Sequence, residues 1–125
     1  MNKLQKHVII CGFGRVGMQV AEDLKAHGTK FVVIENNEDV ISEYEGQLGY
    51  LFLKGDSTLD ENLMRAQIST AKALICCLPK DADNLYVVLS AREIKNNLYI
   101  VSRASNQSTV NKLKIAGAQN VMMHK

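Results

Sequence analysis

The sequence predicts an α/β fold of the Rossmann type, a doubly wound, mostly parallel six-stranded sheet in the order 3-2-1-4-5-6, as one domain over residues 1–125. Three observations carry this. Six short apolar runs alternate with stretches of helical periodicity. The first run leads directly into Gly12-Phe13-Gly14-Arg15-Val16-Gly17, a G-x-G-x-x-G sequence that opens a helix. The second run closes on an acid, Glu35, 18 residues after Gly17. Strands that alternate with helices pair in parallel and are covered on both faces. Right-handed crossovers then give the doubly wound order.

The elements follow in turn. His7 to Cys11 is strand one, ended by Gly12. Arg15 to His27 is a helix, with Val16, Val20 and Leu24 at four-residue spacing and Gly28 as its stop. Lys30 to Glu35 is strand two. Asn36 or Asn37 caps a helix to about Gln47, whose first turn holds Glu38 and Asp39, where acids suit the helix dipole. Tyr50 to Lys54 is strand three, broken by Gly55, and a short helix spans Leu59 to Ala66. Ala73 to Leu78 is strand four, ended by Pro79. Asp81 caps a helix to about Lys95 with Leu85, Val88 and Leu89 on its apolar face. Leu98 to Arg103 is strand five, Asn106 caps a helix over Gln107 to Ala116 that Gly117 stops, and Asn120 to Met123 is strand six.

Composition excludes several classes. With 125 residues and 46% apolar content, the chain is long and apolar enough for a packed core. Lys and Arg number 15 against 13 acids, a formal charge of +2, which gives no reason to invoke nucleic acid or an anionic membrane surface. No apolar run approaches the roughly 20 residues needed to span a bilayer. The Met1 to Lys6 stretch runs straight into a strand, so no signal peptide is expected. Cys11, Cys76 and Cys77 lie in strand patterns. Adjacent Cys76 and Cys77 point to opposite faces, so they form neither chelate nor disulfide there and read as buried structural thiols of a reducing cytoplasm.

The glycine loop is the candidate binding site. Gly12 allows the tight turn, Gly14 lets a phosphate approach the backbone, and Gly17 lets the helix press on the sheet. The amides at the helix start then face the phosphate. Arg15 opposes the helix dipole in the first turn, at a cost of roughly 0.3–1 kcal/mol that a bound phosphate would reverse. Glu35 is placed to accept both hydroxyls of an adenosine ribose, with Asn36 beside it. Glu38 and Asp39 lie close and no arginine does, so a ribose 2′-phosphate would be repelled and NADP disfavoured. Asp56 accepts from the adenine amino group or serves the helix start, where Ser57 is the expected cap. Leu78 and Pro79 pack on the base or on the next moiety, or belong to the loop core. Arg103 reaches the same rim for a phosphate or a partner subunit, or faces solvent. No metal site is read.

The residues His7 to Gly17, then Val33-Ile34-Glu35, Gly55-Asp56-Ser57-Thr58, Ala73-Leu74-Ile75 and Ala116-Gly117-Ala118 together resemble the N-terminal lobe of the RCK domains, also called KTN or TrkA-N domains. The resemblance covers almost the whole chain. It implies a regulatory domain of a potassium channel or potassium transport system that binds NAD(H), ATP, ADP or AMP and couples binding to a membrane gate. It places phosphate on Gly12, Gly14 and Arg15, the ribose on Glu35 and the adenine side on Asp56. It implies a cytoplasmic domain held at the membrane by a channel or transporter subunit, and pairing into dimers or larger rings, for which Leu85 to Ile94 and Val110 to Ile115 are the candidate faces. The form with His7 and Cys11 looks like the version tethered behind a channel pore. Family members usually continue past the last strand into a crossover helix and a second lobe. The alternative is the cofactor half of an NAD-dependent dehydrogenase. Against it, no acid-base set follows the loop: His7, His27 and His124 read as surface residues and Asp81 and Asp83 as helix caps, so no catalytic residue is assigned.

Overall fold

The computed structural model describes residues 3–47 and 49–123. His124 thus lies outside the described residues. A six-stranded sheet runs in the order β3-β2-β1-β4-β5-β6, every pairing parallel. Its strands are β1 (Val8–Cys11), β2 (Phe31–Glu35), β3 (Phe52–Lys54), β4 (Ala73–Cys76), β5 (Tyr99–Ala104) and β6 (Asn120–Met123). The helices are α1 (Arg15–Ala26), α2 (Glu38–Tyr44), α3 (Asp60–Arg65), α4 (Asp81–Ile94) and α5 (Gln107–Ala116), with a 3-10 turn over Ile68–Thr70. Among the described residues no helix is long and apolar enough to cross a membrane.

Side chains alternate across the sheet into two cores. Ile9, Cys11, Val32, Ile34, Leu74, Cys76 and Ile100 pack under α3, α4 and α5. Val8, Ile10, Phe31 and Val33 pack under α1 and α2. β1 and β2 are buried on both faces, which is why they read as unbroken apolar runs. Each such side chain contributes roughly 1.5–3 kcal/mol on burial.

Several local expectations change. α2 stops at Tyr44 rather than Gln47, β3 starts at Phe52, and β4 ends at Cys76 before the loop to Pro79. Asn37, not Asn36, caps α2, its side chain accepting the Asp39 amide at 2.9 Å. Ser57 does not cap α3: the N-cap is Leu59, with no side-chain cap bond, and the Asp56 carboxylate accepts the Thr58 amide in the turn before it. Asp81 is the first helical residue of α4 rather than its cap. Its carboxylate instead accepts the amide and hydroxyl of Ser105 across the β5–α5 loop. Leu89 is 51% exposed, off the apolar face expected for it. His7, expected at the surface, is fully buried, its Nε2 2.8 Å from the Ala66 carbonyl. The Asn106 cap and the Gly117 stop stand as expected.

Candidate functional site

The carboxyl ends of β1 and β4 diverge here, and a cleft opens between their loops. β1 ends at Cys11 and the chain turns at Gly12, whose φ is +97° and whose amide donates to the Ile34 carbonyl at 2.9 Å. A Cβ at Gly12 would sit 2.8 Å from the Cys77 carbonyl oxygen. At Gly17 a Cβ would sit 2.1 Å from the Gly12 carbonyl oxygen, so α1 lies directly on the loop. Around Gly14 nothing comes within 4 Å of such a Cβ. Gly14 is the N-cap of α1 and no side chain caps the helix. The three glycines therefore do three jobs: a turn, an open approach to the helix amides, and close helix packing. Arg15 stands exposed in the first turn, with no carboxylate in salt-bridge range among the described residues.

Glu35 ties this loop to β2. Its Oε1 accepts the Phe13 amide at 2.7 Å and its Oε2 accepts the Asn37 amide at 2.9 Å. The carboxylate is thus aimed by two backbone donors, each leaving a further lone pair on its oxygen. Asn36 is exposed beside it. The Phe13 ring turns away into the core, edge-on to Tyr44 and Phe52 at 5.1 Å each. The sequence had not drawn attention to Lys54, which pairs in register with Glu35 on β3. Lys54 is held by Glu38 at 3.3 Å, so this rim's lysine is already engaged.

After β3, Asp56 uses Oδ1 for both the amide and the hydroxyl of Thr58. Asn62, unremarked in the sequence, is buried and donates to the Asp56 carbonyl at 2.9 Å. It sits so close that a Cβ on Gly55 would lie 2.7 Å from its Nδ2, which accounts for glycine there. Ser57 is buried against the cleft, and its Oγ has no hydrogen-bond partner.

The loop after β4 is braced by Asn84, fully buried, which accepts the Leu78 amide at 2.9 Å and donates to the Leu78 carbonyl at 3.0 Å. Arg103 donates to the same carbonyl at 3.4 Å, while its buried Nε has no partner. Burial works to raise the Asp81 carboxyl, but the Ser105 amide and hydroxyl, the Thr109 hydroxyl and the Arg103 charge outweigh it and hold it below its ordinary value.

These loops enclose about 590 Å³, within the usual range for a small-molecule site of roughly 300–1,000 Å³. Of the expected residues, Gly12, Phe13, Gly14, Glu35, Asn36, Asp56, Ser57, Leu78 and Pro79 line it, joined by Asp83. Arg15, Val16, Gly17 and Arg103 stand outside the lining. Val16 packs into the core under α1, and Gly17 serves packing. The three cysteines are buried and free, as expected. Burial, with the Cys11 thiol, pushes the Cys77 thiol up to about 12 against Arg103, so it is no nucleophile.

The TrkA-N domain family matches residues 8–124. The probable potassium channel protein 2 of Methanocaldococcus jannaschii is 43% identical over 121 residues, covering 95% of this chain and 35% of that protein. The chain thus spans about a third of the length of such curated relatives. The crystal structure of the TrkA-N domain of the inner membrane protein ybaL from Escherichia coli superposes with a TM-score of 0.91 at 29% identity, over 98% of this chain and 90% of that one. The GsuK channel bound to NAD shares the fold, with a TM-score of 0.87 at 24% identity over 98% of this chain and 22% of that one. With the matched family model running almost end to end over the same glycine loop, the chain belongs to the TrkA-N domain family.

Proposed function

We propose that this chain is the nucleotide-sensing domain of a potassium channel or potassium transport system, holding NAD(H) or ATP, ADP or AMP in the cleft and passing the binding energy to a membrane gate. The observation that carries the reading is the Glu35 carboxylate, bonded at once to the Phe13 amide of the glycine loop and to the Asn37 amide. An adenosine ribose on its free lone pairs would place the phosphates over open Gly14 and the uncapped start of α1. Asp56 Oδ2 then faces the adenine, Ser57 Oγ gains a partner, and Leu78 and Pro79 cover the next moiety. Arg15, outside the lining, swings in only when phosphate is present, and so reports phosphate number. The relatives named as potassium channel proteins and the NAD-bound channel of the same fold support this reading.

The role we propose is binding, not catalysis. Of the two described histidines, His7 is buried at the far edge of the sheet and His27 ends α1, so neither offers acid-base chemistry at the cleft. We place the domain on the cytoplasmic side, with pairing through the outer faces of α4 and α5, where Tyr86, Leu89 and Ile115 are exposed. A nucleotide moves a gate only by its differential affinity for two arrangements, ordinarily about 1–3 kcal/mol. The test is a thermal-shift series with AMP, ADP, ATP, NADH and NADPH. Stabilisation by at least one of the first four, with NADPH well below NADH, is expected; no shift with any of them overturns the reading.

A further inference from the structure

The edge of the sheet opposite the cleft is basic. Lys6 lies two residues before β1, Lys30 immediately before β2, Lys72 immediately before β4, and Lys95 in the short turn leading to β5. These four strands are neighbours in the order β2-β1-β4-β5, so their amino ends bring the lysines into one row. At about 4.8 Å between strands the row spans roughly 15 Å. The backbone fixes it there: the Lys72 amide donates to the His7 carbonyl at 2.8 Å, the Lys6 amide to the Thr70 carbonyl at 2.8 Å, and the Val8 amide to the Lys30 carbonyl at 3.0 Å. Burial lowers the His7 imidazole, the Ala66 carbonyl opposes this, and the charges of Lys30 and Lys95 lower it further.

None of these lysines has a carboxylate partner, since the one salt bridge among the described residues is Lys54–Glu38 on the other edge. Beside the row lies a second cleft of about 460 Å³, lined by Leu4, Lys25, Lys30, Phe31, Tyr50 and Leu51 among others. Lys25 Nζ stands 5.1 Å from the centre of the Tyr50 ring. Glu22 contributes, after burial, to raising the Tyr50 phenol, yet it is outside salt-bridge range of every lysine. The acids Glu35, Asp56 and Asp83 gather instead on the nucleotide cleft. The four lysines thus meet at the amino ends of neighbouring strands, a local clustering that a formal total of +2 conceals.

We infer that the row Lys6, Lys30, Lys72 and Lys95, with the Lys25–Tyr50 cleft, is a docking face for an anionic phospholipid surface. Exposed Lys6, Lys30 and Lys72, with Lys95 bonded only to the Ala71 carbonyl at 2.7 Å, beside Tyr50 and the exposed Leu51 are the combination that seats at a headgroup layer, with cations on lipid phosphate and carboxylate and the apolar groups just below. A second copy of the chain fits less well. Its acids Glu35, Asp56 and Asp83 lie on the nucleotide cleft, so a contact that paired them with the lysine row would shut that cleft. A lipid surface on this edge leaves the cleft open. The inference shares with the preceding reading only the placement beside a membrane, and its test does not depend on any nucleotide.

The test is co-sedimentation of the chain with phosphatidylcholine vesicles, alone and containing about a third phosphatidylserine. Binding is expected only with phosphatidylserine present, and it is expected to be lost as sodium chloride rises from about 0.1 M to about 0.5 M. Each lysine near an anionic surface is worth about fivefold in affinity, so the triple variant Lys6→Gln, Lys30→Gln, Lys72→Gln should bind about 100-fold more weakly. The same variant should keep the parent melting temperature within about 3 °C and the parent nucleotide response, since these side chains make no bond to another residue and lie far from Glu35. If the triple variant unfolds, the single variant Lys30→Gln carries the test, with about fivefold weaker binding expected. No binding to phosphatidylserine vesicles, equal binding to both vesicles, binding untouched by the substitutions, or equal affinity for duplex DNA would each overturn the inference.

Discussion

Replacing Glu35 perturbs the fold and the site by separable amounts. In Glu35→Ala the Phe13 and Asn37 amides both lose their acceptor. A hydrogen bond to a charged group contributes about 1.5–3 kcal/mol when shielded from water. Asn37 is exposed and water replaces its partner, so most of the cost falls on Phe13, and the total is about 2 kcal/mol. At about 4 °C per kcal/mol for a domain of this size, the melting temperature falls by about 8 °C without any nucleotide. Glu35→Gln keeps one acceptor oxygen and should fall about half as far. Nucleotide affinity then carries a second loss, because the ribose diol has no charged acceptor: about 1.5–3 kcal/mol, or roughly 10- to 100-fold in Kd. Differential scanning calorimetry gives the first quantity and titration calorimetry with NADH or AMP the second. An unchanged melting temperature in Glu35→Ala would refute the bridging role, and an unchanged Kd would refute the ribose role.

Other outcomes follow from the same geometry. Gly17→Ala places a methyl 2.1 Å from the Gly12 carbonyl and should destabilise by on the order of 3 kcal/mol, whereas Gly14→Ala meets open space and should leave the melt unchanged while weakening nucleotide binding about tenfold or more; equal melts for the two would contradict the assignment. His7 titrates below its ordinary 6.5, so the unfolded chain takes up a proton that the native state resists, and stability should drop as pH falls below that value. Denaturant melts of His7→Gln should show a shallower acid limb. Cys77 is raised to about 12, so between about pH 9 and about pH 12 the unfolded thiol ionises while the native one does not, and stability should decline as pH rises. Cys77→Ala should flatten that decline by up to about 1.4 kcal/mol per pH unit.

The parts that were legible in the sequence are those decided locally. Strands β1 and β2, buried on both faces, announce themselves as unbroken apolar runs, and the glycine positions follow from backbone requirements within a single loop. Glu35 was placed by its spacing from Gly17, because the βαβ unit fixes the return of β2 to the loop. What the sequence did not disclose depends on partners brought from afar. Asp81 has the composition of a helix cap, yet Ser105, 24 residues on, takes its carboxylate. His7 looks exposed at a strand start until the Ala66 carbonyl, 59 residues away, closes over it. The Asn62 and Asn84 braces were invisible for the same reason, since a buried asparagine and a surface one read alike. The lysine row escaped notice because its members are scattered between positions 6 and 95 and meet only when the strands align.

A crystal structure grown with NADH tests the central claim most directly. The account predicts the adenosine ribose hydroxyls within hydrogen-bond distance of the Glu35 carboxylate and the phosphates over Gly14 at the start of α1. A nucleotide bound elsewhere, or density for none at saturating concentration, would contradict it.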